Sequence, residues 1–312
     1  MRLPRSRPVL AIVLMFGASA AFVVMQAVVK HAREVGLDTT ETMFFRTAPG
    51  LPLLWWSLRQ RGQGLMPARP KDVLVRSVLG SLAMSTNFTA MRWLSLAQFS
   101  TLGLSQPVFV ALAAPLLLGE RLNRHAWIAM ACAISGALVL IAPGLEADSL
   151  ALVPALLAVA SALFSAFAHI WVRKATEHDP PDRVVFHFAA LVAIVSLIVG
   201  LSRGYFTAIP QGLSGRELAW IVLGMAGFGT LGQVLMTRAH VHGDAPTVAM
   251  VGYASIGLSM LADVILFQIW PAHSAYAGAF LMIGAGGILV YGANNPARPP
   301  HEPAATRDRS SD

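Results

Sequence analysis

Long apolar stretches separated by short polar connections make up almost the whole chain. Several stretches reach the ~18 to 20 residues that an α-helix needs to cross about 30 Å of hydrocarbon. The connections carry turn residues such as Pro143-Gly144, Pro180-Pro181 and Gly243-Asp244, and they leave no room for a soluble domain. The pattern predicts an all-α integral membrane protein with ten transmembrane helices: Val9–Val29, Thr40–Leu58, Val73–Met91, Gln98–Leu118, Trp127–Ala142, Leu150–Val172, Val184–Leu201, Leu218–Met236, Thr247–Phe267 and Ala275–Gly292.

The second half of the chain repeats the first in a degraded form. The stretch from Asn87 to Arg124 returns from Gln233 onward, and Arg92 then falls on Arg238. The tail after the last span is Pro-rich and polar, so we expect it to be disordered and cytoplasmic. The predicted segments are a first five-helix repeat at 1–146, a second at 147–293, and the tail at 294–312.

Five spans per half reverse the direction in which the second half enters the membrane. The two repeats are therefore predicted to be inverted, related by a pseudo-twofold axis in the membrane plane. Inverted repeats place a shared cavity near the midplane and allow two near-equivalent packings to alternate its exposure, which is typical of transporters.

Composition supports the membrane assignment. Apolar residues make up 55% of the chain and charged residues only 12%, whereas about a quarter of residues are charged in a soluble domain. The net charge of +7 comes from Lys and Arg scattered between apolar spans, so we do not expect nucleic-acid binding. Cys132 is the only cysteine, which excludes an intrachain disulfide or a thiolate metal cluster and suggests a packing residue.

The distribution of Lys and Arg predicts orientation. With the N-terminus inside, 16 of these residues fall on inside segments and five on outside segments, the latter including Lys30 and Arg33. We therefore expect a multi-pass protein of a bacterial-type inner membrane with both termini cytoplasmic. Ala18-Ser19-Ala20 has the form of a signal-peptidase site, but the apolarity continues to Val29, so an uncleaved first span is expected.

Ionisable groups inside apolar spans are costly and usually face a cavity or a partner. Arg46 and Asp263 stand out, and each is expected roughly 9 Å below the outer end of its span at 1.5 Å per residue. At this common depth they are predicted to form a charge pair at the outer side of the central cavity. The pair would respond to substrate or proton occupancy, or it would only hold helices together; separate cavity groups are the further alternative.

Six uncharged polar or aromatic residues within spans complete the predicted substrate-binding set. Such groups suit hydrogen bonding to a polar metabolite, although bonds between helices are an equal alternative. They are Gln26, Asn87, Gln106, His169, Gln233 and Tyr253.

Two further motifs are assigned no ligand. Residues 227–232 read GFGTLG and match the dinucleotide fingerprint, but that motif works only between a strand and a helix. Within an apolar span, small residues that let helices pack closely are the better explanation, also for Gly200 and Gly204. His240 and His242 have no carboxylate or thiol partner nearby in sequence, so no metal site is predicted.

Several features along the chain form a recognisable set. They are Phe22 to Lys30, Arg46, Asn87 to Trp93, Pro107, the run LLGERL at Leu117 to Leu122, Gly136, and Gly232 to Tyr253. With these features the chain resembles the ten-helix EamA-type branch of the drug/metabolite transporter superfamily, a group of bacterial permeases. The likeness extends from Val9 to Gly292. One departure is Phe267-Gln268, which stands where the family's second repeat usually has Gly-Glu, so the inner and outer turns differ.

The resemblance implies a secondary transporter that moves a small organic metabolite across the inner membrane by alternating access, without a cofactor or enzymatic activity. No Walker motif is present, and a proton is a candidate coupling ion. Export of amino acids or drugs and uptake of S-adenosylmethionine or riboflavin-like solutes are the alternatives. The rival classes are a channel and an integral-membrane transferase. The only rich polar group, Glu177-His178-Asp179 with Asp182, is interpreted as a short hydrophilic loop, and no oligomeric state is predicted.

Overall fold

The computed structural model describes residues 8–103, 105–106, 109, 113, 124–147, 152–206, 213–242 and 254–294. All regular structure in this part of the chain is helical, as the apolar pattern predicts. A 3-10 turn, Ala48–Gly50, joins α2 to α3. The helices are α1 (Pro8–Glu34), α2 (Thr39–Thr47), α3 (Leu51–Gln60), α4 (Pro70–Ala90), α5 (Leu96–Gly103), α6 (Arg124–Ala147), α7 (Leu152–Thr176), α8 (Pro181–Ser202), α9 (Gly215–His242), α10 (Ala254–Phe267) and α11 (His273–Asn294).

Within the described ranges, four helices are both long enough and apolar enough to cross a membrane. They are α1, α7, α8 and α9, with 22 to 26 residues in each candidate span. Their outward faces carry large apolar side chains such as Val13, Ile194 and Leu223, each more than half exposed. A continuous apolar surface of this kind is stable against lipid tails and unstable against water.

The predicted second span, Thr40–Leu58, is divided into two helices. Pro49 cannot donate the backbone hydrogen bond of an α-helix, and the chain turns as a 3-10 helix at this point. Gly50 lies directly against Thr230 of α9, where a Cβ would overlap the Thr230 hydroxyl. The interruption therefore lets the segment between α2 and α3 approach α9 closely near the middle of α9.

Two boundary predictions are wrong. Helix α6 continues through Pro143-Gly144 to Ala147, where the sequence suggested a turn. Helix α1 continues past Val29 to Glu34, so Lys30 and Arg33 belong to its last turns and are buried.

Local partners explain how α1 carries these two buried cations. Lys30 Nζ donates to the Leu94 carbonyl at 3.2 Å and lies 3.4 Å from the Glu34 carboxylate. Arg33 donates to the Leu37 carbonyl and lies 3.8 Å from the Asp38 carboxylate.

Helix packing is similar in the two halves of the chain. We match the helices of the first half in order with those of the second, counting α2 and α3 as one: α1 with α7, α2 and α3 with α8, α4 with α9, α5 with α10, and α6 with α11. When the two halves are interchanged in this way, each main pair of packed helices has a counterpart. Thus α1 packs along α9 as α4 packs along α7, and α2 packs against α9 as α8 packs against α4. The pairs α2 with α8, α5 with α10 and α6 with α11 map onto themselves.

Close approach of α1 and α2 to α9 depends on glycines in the GFGTLG segment. A Cβ on Gly232 would lie 2.8 Å from the Phe22 ring, and one on Gly229 would lie 3.0 Å from Arg46 Cγ. Gly227, in contrast, faces open space. The expected packing role is therefore confirmed for Gly229 and Gly232, whereas Gly204 is required for its positive φ of 78° in a turn.

Candidate functional site

Seven of the eight predicted substrate-binding residues lie in the described part of the chain. Gln26 is on α1, Arg46 on α2, Asn87 on α4, His169 on α7, Gln233 on α9 and Asp263 on α10, while Gln106 follows α5. Tyr253 lies outside the described residues. The predicted set therefore extends over helices of both halves.

Arg46 is the residue around which several of these helices meet. It is buried on α2, one residue before the end of the helix. Its Nε donates to the Met25 sulfur of α1 at 3.2 Å, and Nη2 reaches the Gly229 carbonyl of α9 at 3.4 Å. Both contacts are weak, because thioether sulfur accepts poorly and the bond to the carbonyl is long.

Gln26 and Gln233 lie at the same depth as Arg46. Gln26 directly follows Met25, and Gln233 comes one helical turn after Gly229. The Gln233 side chain is buried, and its amide nitrogen has no hydrogen-bond partner among the described residues. This unsatisfied donor lies on the same helix as the Gly229 carbonyl that Arg46 contacts, so the contact of α1, α2 and α9 contains polar groups that are incompletely paired.

The predicted ion pair between Arg46 and Asp263 is not formed. Asp263 is 1% exposed, and its carboxylate accepts the backbone N–H of Leu96, the first residue of α5, at 3.0 Å. A carboxylate in this position stabilises the unpaired N–H groups and positive dipole at a helix start. Counting residues along two spans gave a common depth but could not give the rotation of each helix about its axis.

Arg76 is a second buried arginine, which the sequence analysis did not include among the candidate site residues. It lies on α4 and is 4% exposed. Its guanidinium carbon is 3.9 Å from the centre of the Phe188 ring of α8, a cation–π contact. Among the described residues, Arg76 Nε and Nη1 find no hydrogen-bond acceptor.

The helices of Arg46 and Arg76, α2 and α4, pack against each other, and the like charges of the two arginines repel. Gly80, one turn after Arg76, makes room for the guanidinium, because a Cβ there would lie 2.5 Å from Nη1. Asn87 lies on the same helix but eleven residues further on, or about 16 Å along the axis, so it belongs to another level. The structure therefore places Arg46 together with Arg76, not with Asp263.

A groove of about 640 Å³ opens elsewhere, between α1, the start of α9 and the end of α10. Its walls include Val24, Val28, Trp220 and Phe267, and neither Arg46 nor Arg76 lines it. Trp220 is 66% exposed on what would be a lipid-facing surface. We do not assign substrate binding to this groove, because its lining is mainly apolar and open to the side.

The group at residues 177–182 is more than a hydrophilic loop. Asp182 is buried, accepts the Ser57 hydroxyl at 2.8 Å, and lies 3.6 Å from Arg61 and 3.5 Å from Arg238. Ser57 and Arg61 belong to the first half of the chain. Asp182 therefore connects the two halves at the end of the structure where α3 and α9 end and α8 begins. Residues 177–180 do form a short turn between α7 and α8, as expected, but the sequence did not reveal the distant partners of the Asp side chains.

Asp179 forms further contacts at the same end of the structure. Its carboxylate accepts the backbone N–H of Ala68 and the guanidinium of Arg183, both at 2.8 Å. Burial raises the pKa of Asp179, but the hydrogen bonds from Ala68 and Arg183 outweigh it and hold the pKa below its ordinary value. The carboxylate is thus charged at neutral pH.

Replacing Asp179 with asparagine is expected to lower the free energy of unfolding by about 2 kcal/mol at pH 7, since a buried charged hydrogen bond is lost. The depressed pKa means that this contribution is complete above about pH 4 and disappears as the pH falls through the folded-state pKa. Unfolding in detergent, measured between pH 7 and pH 3, should show the two proteins converging at low pH. Glu177→Gln, at an exposed neighbouring position, is the control and should match wild type throughout.

Comparison with known proteins adds to this geometry. A model of the EamA-like transporter family matches the chain twice, over residues 9–142 and 152–291. Pseudopaline exporter CntI of Pseudomonas aeruginosa is 32% identical over 268 residues, covering 86% of this chain and 91% of the relative. A riboflavin transporter of Vibrio cholerae is 24% identical over 284 residues, covering 89% and 92%.

A solved structure supports the fold alone. It has a TM-score of 0.61 and 17% sequence identity, and the match covers 91% of this chain and 97% of that one. The apolar helices, the two family matches and the 32% identical relative agree with one another and with the sequence resemblance. The chain therefore belongs to the EamA-like transporter family.

Proposed function

We propose that this protein is a secondary transporter that moves a small organic metabolite across the bacterial inner membrane by alternating access. The observation that carries the proposal is the double family match, over residues 9–142 and 152–291. Duplicated transporter domains create a shared site at their interface and two alternative packings around it. Residues 1–146 and 147–293 are accordingly the two proposed repeats.

The similar helix packing of the two halves supports this division. Each main contact between helices has its counterpart when the two halves are interchanged. An approximate twofold relation between halves produces this pattern. With five spans in each half, ten in total, the second repeat enters the membrane in the opposite direction, and the repeats are inverted.

Side chains at the boundary between the halves suggest how the two packings alternate. Arg46 and Arg76 of the first half contact Gly229 and Phe188 of the second half at mid-depth. Asp182 connects the halves again at the end of the helices proposed to be cytoplasmic. A rocking motion would break the Asp182 contacts when the inner side opens and would rearrange the surroundings of both buried arginines.

Transport is tested with purified protein reconstituted in liposomes. Solutes that raise thermal stability in a metabolite library are selected first, because a ligand of the folded state stabilises it. Riboflavin and pseudopaline are included, since relatives carry these names. We expect saturable movement of at least one selected solute, unchanged in chemistry and absent from protein-free liposomes. Chemical conversion of the solute would favour a transferase, and unsaturable ion current would favour a channel.

Both termini are proposed to be cytoplasmic, which leads to a labelling prediction. Single cysteines at Gly215 and Met66 are introduced in a Cys132→Ser background; Gly215 has open space for a Cβ and Met66 is 84% exposed. In intact cells, an impermeant thiol reagent should label the Gly215 position and leave the Met66 position unmodified until the cells are opened. The reverse pattern would overturn the orientation.

A further inference from the structure

The two buried arginines raise a question of charge balance. Arg46 and Arg76 are 5% and 4% exposed, and each lies on a helix within the membrane-embedded bundle. A charge in such surroundings is costly unless an opposite charge or strong hydrogen bonds compensate it. Their mutual repulsion adds to this cost.

Ion pairs elsewhere in the described structure show how this chain compensates its other cations. Lys30 is paired with Glu34, Arg33 with Asp38, and Arg183 with Asp179. Among the described residues, no carboxylate lies within 4 Å of Arg46 or Arg76. These two therefore differ from the buried cations that have an acidic partner.

The contacts that these arginines do make leave donors available. Arg46 relies on a sulfur and a long carbonyl contact, and Arg76 lies on an aromatic ring with Nε and Nη1 unpaired among the described residues. A guanidinium binds carboxylate and phosphate groups through paired N–H donors, and this geometry is the strongest it offers. Arg46 and Arg76 lie on helices that pack together, and within the described ranges neither has an acidic partner, so their free donors can bind an anion.

We propose that Arg46 and Arg76 together bind an anionic group, carboxylate or phosphate, of the transported solute. This inference rests on the proposed function and names the class of solute. Phe188 and Gly229, which support the two arginines, belong to α8 and α9 of the second half, whereas both arginines belong to the first. A motion of one half against the other would therefore change the side of the membrane to which the bound anion is exposed.

The test uses purified protein in detergent and two matched pairs of probes. Riboflavin 5′-phosphate is compared with riboflavin, and succinate with succinamide, so each pair differs chiefly in negative charge. At saturating concentration, at least one anion should raise the unfolding temperature by a few degrees while its neutral counterpart does not. The pair that responds distinguishes phosphate from carboxylate. No shift with either anion, or equal shifts within both pairs, would contradict the proposal.

Variants assign the effect to the two arginines. Arg46→Gln and Arg76→Gln should each abolish the anion-dependent shift, Arg46→Lys should keep part of it, and the control Arg59→Gln, at an exposed position on α3, should keep all of it. Without anion, both Gln variants should unfold at or above the wild-type temperature, because an uncompensated buried charge has been removed. A lower unfolding temperature, or an undiminished anion shift, would indicate a purely structural role.

Liposome experiments separate failure of this inference from failure of the proposed function. If wild-type protein transports only neutral solutes and the Arg46→Gln and Arg76→Gln variants transport them equally well, the anion site is wrong while the transporter proposal stands. If no library solute moves, the transporter proposal itself fails. Transport of an anion that drops at least tenfold in either variant supports both.

Discussion

Replacing Gly232 with alanine is expected to lower the free energy of unfolding by about 1 to 3 kcal/mol, the usual range for overpacking a core. The new Cβ would lie 2.8 Å from the Phe22 ring, so the ring must leave its position or α1 must separate from α9. The α1 and α9 contact is among the most extensive in the fold. Thermal or denaturant-induced unfolding in detergent measures the loss.

The GFGTLG segment, residues 227–232, also contains a control position. Gly227→Ala introduces a Cβ that meets nothing within 4 Å, so it should leave stability unchanged or slightly raise it, as Ala favours helix over Gly. A dinucleotide site would show the opposite order, because the first glycine of that fingerprint forms the tight turn. If Gly227→Ala were as damaging as Gly232→Ala, helix packing would not explain the motif.

Removal of the Asp182 carboxylate should have the second large effect. Asp182→Ala loses the hydrogen bond from Ser57 together with the contacts to Arg61 and Arg238, and we expect a loss of about 2 to 3 kcal/mol. Because these contacts connect the first half to α8 and α9, the variant should also favour states open at this end. Unfolding in detergent measures the first effect, and faster thiol labelling of a cysteine at Ser57 in the variant measures the second.

Single arginine variants calibrate this prediction. Arg61 and Arg238 have side chains 52% and 39% exposed, so Arg61→Gln and Arg238→Gln should each cost less than about 1 kcal/mol. Losses equal to that of Asp182→Ala would mean that the buried carboxylate contributes nothing beyond one exposed ion pair. That result would remove Asp182 from the proposed inner contact.

Arg46 illustrates how far sequence reasoning reached at the site. Its position inside an apolar span predicted a buried and incompletely solvated charge, and the structure has it 5% exposed. The partner was wrong, since the carboxylate of Asp263, on α10, accepts the backbone N–H of Leu96 at the start of α5. Depth can be counted from the sequence at 1.5 Å per residue, but the direction of a side chain around its helix depends on the neighbouring helices.

Arg76 was missed although a signal was present. Arg76 interrupts the apolar run VLVRSVLG, three residues after the predicted start of the third span. Because the helix itself begins at Pro70, this position is too deep for an ordinary interfacial residue. The same rule that selected Arg46 would have selected it. What no pattern could supply is Phe188, 112 positions further along the chain, beneath its guanidinium.

The sequence by itself determined the helical class, the membrane environment and the family, because apolar length and local turn chemistry act within a few residues. Only the tertiary structure decided which helices meet, that Pro49 interrupts the second span beside Thr230, and that Arg46 neighbours Arg76 and not Asp263. The physical reason is that lipid satisfies the apolar face of any helix about equally well. Close packing and the pairing of buried polar groups select among the possible rotations, and both depend on residues distant in sequence.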